Sequence, residues 1–162
     1  MASGVKVSDE IKSLFNTMKV NRSSDNAQER IRVAEFALND AHTEIEVKGL
    51  IKEKDLEEGE NLFKKVQSLM RERECTYIVY DCHYETNVTK KEDLIFIMWS
   101  CDNAKPKERM VYSSSKSALK KILDVKFEFE MHANDEITPA SFVSNMGKEK
   151  IVKLEGLDVN EL

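Results

Sequence analysis

Two segments, Tyr77–Cys82 and Leu94–Trp99, are apolar at nearly every position. A strand with one wet face alternates in polarity, whereas a strand apolar at both parities is covered on both sides. The pair therefore calls for a sheet whose middle lies between two layers of helices. Stripes at helical spacing are present to supply them. Ile11, Leu14, Phe15 and Met18 follow Ser8 and Asp9, and Leu62, Phe63, Val66, Leu69 and Met70 form a second stripe. Ala118, Leu119, Ile122 and Leu123 form a third, with Ser113, Ser114 or Ser115 as the expected N-terminal cap. Thr138-Pro139 is a helix start, followed by Phe142, Val143 and Met146 and ended by Gly147.

Further strands are expected over Ile31–Leu38, over the alternating Glu44–Val47, and over Val125–Met131, where Val125, Phe127, Phe129 and Met131 share one parity. Val20–Gln28, Asn39-Asp40, Lys52–Gly59 and Glu85–Asp93 read as loops or turns, the last as a hairpin loop. No repeat or linker divides the 162 residues, so one domain spans 1–162, with a flexible start at 1–6 and an acidic tail at 157–162.

Charge is unevenly placed. Lys105, Lys107, Arg109, Lys116, Lys120 and Lys121 face a single acid, Glu108, giving residues 105–121 a net +5. The whole chain is −5, so the remainder sums to −10. The third helical stripe puts Lys116, Ser117, Lys120 and Lys121 opposite its apolar side. Two readings fit: a solvated amphipathic helix, or a docking face for an anionic partner, either an acidic protein or a phosphoinositide headgroup.

Enzymatic readings find little support. His42, His83 and His132 form no H-E-x-x-H pattern, and Cys82-His83 are neighbours on a strand, pointing to opposite faces. Cys75, Cys82 and Cys101 do not have zinc-site spacing, and no phosphate-binding glycine loop occurs, so no metal and no cofactor is expected. A net-negative chain is a poor nucleic-acid ligand. No apolar run approaches the roughly 20 residues that span a bilayer, so no transmembrane segment is expected. No secretory leader is visible, and the odd number of cysteines beside apolar strands suits free thiols in a reducing compartment. The expectation is a cytoplasmic binding protein.

Five segments in order carry a resemblance: M-A-S-G-V-K-V-S-D-E (1–10), Y-I-V-Y-D-C-H-Y-E-T (77–86), K-K-E-D-L-I-F-I-M-W-S (90–100), R-M-V-Y-S-S-S-K-S-A-L-K-K (109–121) and I-V-K-L-E-G (151–156). Together they resemble the actin-depolymerising factor/cofilin family over almost the full length. The resemblance implies the ADF-homology, gelsolin-like α/β (mixed α+β) fold: a central mixed sheet of five or six strands sandwiched by helices on both faces. It implies a monomer that binds actin monomers and filament sides, favouring the ADP form, and that severs and depolymerises filaments within the cytoskeleton.

By the same resemblance, Ser3, Gly4, Val5, Lys107, Arg109, Met110, Ser115, Lys116, Lys120 and Lys121 are the expected actin contacts. Lys107, Arg109, Lys116, Lys120 and Lys121 are expected also to take phosphoinositides, in competition with actin. Ser3 corresponds to the serine that a LIM-type kinase phosphorylates. Lys90 and Lys91, in the strand-connecting loop, and Lys148, beyond the last helix, would touch a second filament subunit. The chain departs from the family in three places. Ser144-Asn145-Met146-Gly147-Lys148 keeps one of the charges expected there, Gln28-Glu29-Arg30-Ile31-Arg32 replaces a basic nuclear-import cluster, and Phe127 replaces a pH-linked histidine, with His132 five residues on. Same-fold alternatives are a coactosin-like or glia-maturation-factor-like module that does not sever. A phosphoinositide-binding membrane-surface protein is the alternative of another class.

Overall fold

The structure is a computed structural model that describes residues 4–20, 29–146 and 150–161. In chain order the elements are β1 (Lys6–Val7), α1 (Asp9–Val20), β2 (Ile31–Leu38), β3 (Glu44–Lys52), α2 (Leu62–Leu69), β4 (Cys75–Thr86), β5 (Lys90–Ser100), α3 (Pro106–Lys120), β6 (Phe127–Met131), α4 (Pro139–Ser144), β7 (Ile151–Leu154) and β8 (Leu157–Asp158). The strands run in the order β1-β3-β2-β4-β5-β6, with β7 joined to β4 and β8 to β7. β1 on β3 and β6 on β5 are parallel, and the other pairs are antiparallel. Six of the strands have four or more residues, in line with the five or six expected.

The two apolar runs become β4 and β5 at the middle of the sheet. Opposed residues share a face, so Tyr77 with Met98 and Val79 with Phe96 lie on one side. There Tyr112 of α3 packs on Tyr77, with ring centroids 4.9 Å apart. Ile78 with Ile97 and Tyr80 with Ile95 lie on the other side. There Phe142 of α4 meets Phe63 of α2 at 4.9 Å and Phe129 of β6 at 5.1 Å. Trp99 is fully buried and donates its indole N–H to the Arg71 carbonyl at 2.7 Å, fixing the exit from α2. Both faces are covered, which explains why neither strand could tolerate alternation.

Local signals account for most element ends. Asn61 accepts from Lys64 N at 3.2 Å and caps α2. Thr138 accepts from Ser141 N at 3.3 Å and caps α4, with Pro139 in the first turn. Four expectations are corrected. α3 starts at Pro106, with Lys105 as its N-cap, so the three serines lie inside the helix and do not cap it. Proline at the first helical position sets φ and lacks the N–H that would be orphaned there. The segment Glu85–Asp93 is mostly strand, since Glu85 pairs with Lys90 and Cys82 with Asp93, leaving a turn at residues 87–89. β3 extends to Lys52, past the alternating segment. The acidic end is structured: β8 returns on β7, and Val159–Glu161 forms a 3-10 turn. The expected loop over 21–28, Ser3, Lys148 and the Gly147 helix end lie outside the described residues.

Candidate functional site

α3 is held down by its buried side. The Tyr77 hydroxyl donates to the Tyr112 carbonyl. The Tyr112 hydroxyl in turn accepts from Leu38 N at 3.1 Å, linking the helix to β2. Burial pushes the Tyr112 phenol up to about 12. Tyr112, Ser115 and Leu119 are the buried residues of the helix. Ser115 is 0% exposed, so it belongs to the seat; its expected role as a partner contact is corrected.

The opposite side forms a ridge. Lys107, Met110, Ser114, Ser117 and Lys121 are exposed and alternate by three and four residues, which aligns them along one helical stripe. Met110 is 66% exposed, an unbranched thioether in water, with Lys107 one turn before it. Lys105, Lys107 and Lys121 make no ion pair with the described residues. The other three cations of the cluster are engaged. Arg109 reaches Asp102 at 3.3 Å, while Lys116 and Lys120 share the two carboxylate oxygens of Glu128 on β6, at 2.8 and 3.2 Å. Burial opposes ionisation of Glu128, but the hydrogen bonds from Lys116 and Lys120 outweigh it and hold its carboxyl below the ordinary value. The expected bare cationic face is therefore partly neutralised from within. Alternation aims Glu128 at α3, but no spacing rule ties it to lysines on a separate element, so this pairing is not legible in the sequence.

The N-terminal segment runs beside this surface. Lys6 N donates to Thr43 O at 3.0 Å and Ser8 N to Ile45 O at 3.1 Å, so the chain enters as a short parallel strand. Val5 is 9% exposed and part of the core, so its side chain anchors the segment; Gly4 is exposed at φ +80. The structure thus brings Gly4, Lys107, Arg109, Met110, Lys120 and Lys121 to the surface and withdraws Val5 and Ser115.

Lys90 and Lys91 lie elsewhere, at the start of β5 and not in a loop. The turn before them is closed by Thr86, whose hydroxyl accepts from Val88 N and Thr89 N, both at 3.2 Å. Val88 projects from this tip at 92% exposure, and no motif in the sequence marks it.

Cys75, Cys82 and Cys101 are free and buried, and burial pushes the Cys75 and Cys82 thiols up, keeping them protonated. No helix among the described residues is long and apolar enough to cross a membrane.

Solved structures share the fold. Cofilin of Streptomyces griseoflavus aligns with a TM-score of 0.74 at 24% identity, covering 91% of this chain and 100% of the other. Actin depolymerization factor 2 of Plasmodium berghei aligns equally well, at TM-score 0.74 and 27% identity over 91% and 100%. Human coactosin-like protein shares the fold at TM-score 0.64 and 12% identity over 86% and 95%. The family model for cofilin/tropomyosin-type actin-binding proteins matches residues 4–147, which takes in the N-terminal segment, the hairpin and α3 alike. The chain belongs to the ADF/cofilin family of actin-binding proteins.

Proposed function

We propose that the chain binds actin monomers and filament sides through the α3 ridge and the N-terminal segment, and that binding promotes severing and depolymerisation without covalent chemistry. The observation that carries this reading is Met110, exposed on a helix held rigid by two tyrosines. A large apolar side chain with cations along the same ridge has the make-up of an interface anchor with a polar rim. Lys107 and Lys121 steer and orient an acidic partner, and the same amines take phosphoinositide headgroups, so lipid and actin compete. The protein acts as a cytoplasmic monomer by differential binding: it favours one arrangement of filament subunits, and occupancy shifts the filament toward it. Lys90, Lys91 and Lys148 serve the second subunit.

A LIM-type kinase regulates the protein at Ser3. A phosphate of about −1.5 to −2 charge would repel an acidic partner. Ser3→Glu is expected to lower actin affinity; unchanged binding removes this part of the reading.

Co-sedimentation with filamentous actin tests the whole. Bound protein with loss of pelletable actin supports depolymerisation. Bound protein with an undiminished pellet supports a second, coactosin-like reading, favoured by the uncharged Ser144-Asn145 at the end of α4. Absence of binding with retained affinity for phosphoinositide vesicles supports a membrane-surface role.

A further inference from the structure

Lys116 and Lys120 stand one turn apart on α3 and both aim at Glu128, one carboxylate oxygen each. Glu128 is held in place by β6, which pairs with β5 and sets Glu128 opposite Phe96. Lys116 is only 18% exposed, so its amine is committed inward, while Lys120 is 52% exposed. One negative charge therefore answers two positive ones at the C-terminal half of the docking helix. An acidic group arriving there meets amines whose hydrogen bonds are already spent on the protein's own carboxylate.

We propose that Glu128 is a built-in competitor of the anionic partner, withholding Lys116 and Lys120 until the partner's own carboxylates displace it. The inference rests on the reading of α3 as the actin-docking helix. The ridge of Lys107, Met110 and Lys121 makes the first contact, because its amines have no ion-pair partner among the described residues. Engagement of Lys116 and Lys120 follows and requires the clasp to open. Glu128 thus sets how much of the cationic cluster a partner receives, and it acts as a specificity-determining residue without touching the partner in the closed state.

The test compares Glu128→Gln with Glu130→Gln, the next position of the same parity on β6, exposed and without an ion pair among the described residues. Both remove one negative charge from one strand, so a general field effect moves both alike. Release of the clasp is specific to Glu128→Gln and is expected to tighten filament binding by about three- to tenfold at low salt, more than Glu130→Gln does. The excess is expected to vanish in a Lys116→Met/Lys120→Met background. Thermal melts of each variant verify folding, and carboxyl titration of Glu128 by NMR in the free protein is expected to move up toward the ordinary glutamate value in that background. Equal effects of the two glutamate variants, or weaker binding by Glu128→Gln, overturn the inference while leaving the docking reading intact. A wild-type chain that ignores filaments overturns both.

Discussion

Met110 is where a single side chain carries most of the functional argument. Its neighbours on the ridge are polar, and its exposure means that folding gains little from it. Met110→Ala is expected to weaken filament binding by about tenfold, as an anchor residue does. Stability should stay within about 0.5 kcal/mol of wild type, as for other surface substitutions. Co-sedimentation and a thermal melt on one preparation separate the two effects.

Arg32 is the reverse case, 2% exposed and surrounded by acceptors. It donates to Glu155 at 2.6 Å, to Glu53 at 2.9 Å and to the Asp81 carbonyl at 3.0 Å. Burial opposes its charge, but Glu155 and Glu53 outweigh that and bind the proton more firmly than usual. Glu155 also accepts from the Tyr80 hydroxyl at 2.8 Å, so it joins β2, β4 and the turn after β7. Glu155→Ala leaves a buried guanidinium short of its partner and is expected to destabilise the fold by about 3 kcal/mol. Urea unfolding reads that loss, and a shift below about 1 kcal/mol would mean that water replaces Glu155.

At the scale of elements, the seat of α3 decides whether the ridge stays rigid. The Tyr112 phenol is raised in the folded state to about 12, against about 10 in an unfolded chain. The neutral phenol is thus favoured by folding. Its contribution is complete below about pH 10 and is lost as pH climbs toward about 12. Tyr112→Phe is expected to cost about 1 kcal/mol at neutral pH, through the Leu38 amide left without its acceptor. It should also flatten the alkaline decline in stability, which Tyr77, likewise raised by burial, prevents from vanishing. Chemical unfolding at a series of alkaline pH values checks both.

The start of this helix is legible at Pro106, although the later serines also have the chemistry of a cap. A proline at the first position needs no side-chain cap, and Lys105 supplies none. The hairpin hides its pairing for a related reason. Polar residues at 85–93 look like a loop, yet the ribbon stays paired there, with Thr86 buried while Lys90 and Glu92 face solvent. Burial on both sides of β4 and β5 was readable because it needs only local composition. The Glu128 clasp and the Arg32 cluster depend on which distant elements meet, and no local pattern encodes that.

For the molecule as a whole, the candidate surfaces separate. β4 pairs with β2 through Val33–Phe36 and then with β7 near Tyr84–Thr86, and its far end carries Lys90 and Lys91 across the hairpin. From Tyr77 to Thr86 is a span of about 30 Å at strand rise. Under the proposed function, the α3 ridge meets one partner subunit and the hairpin meets its neighbour. Lys90→Ala/Lys91→Ala is therefore expected to lower filament binding several-fold and leave monomer binding within about twofold, since rim charges contribute modestly. Parallel assays on monomeric and filamentous actin check this, and an equal loss in both would place the hairpin at the first surface.

β4 has a mechanical corollary. It passes without a break from beneath the Tyr112 ring to the hairpin tip, changing neighbours on the way. A load entering β4 at Thr86, where the hairpin turn begins, reaches the Tyr77–Tyr112 contact under α3 along one continuous strand.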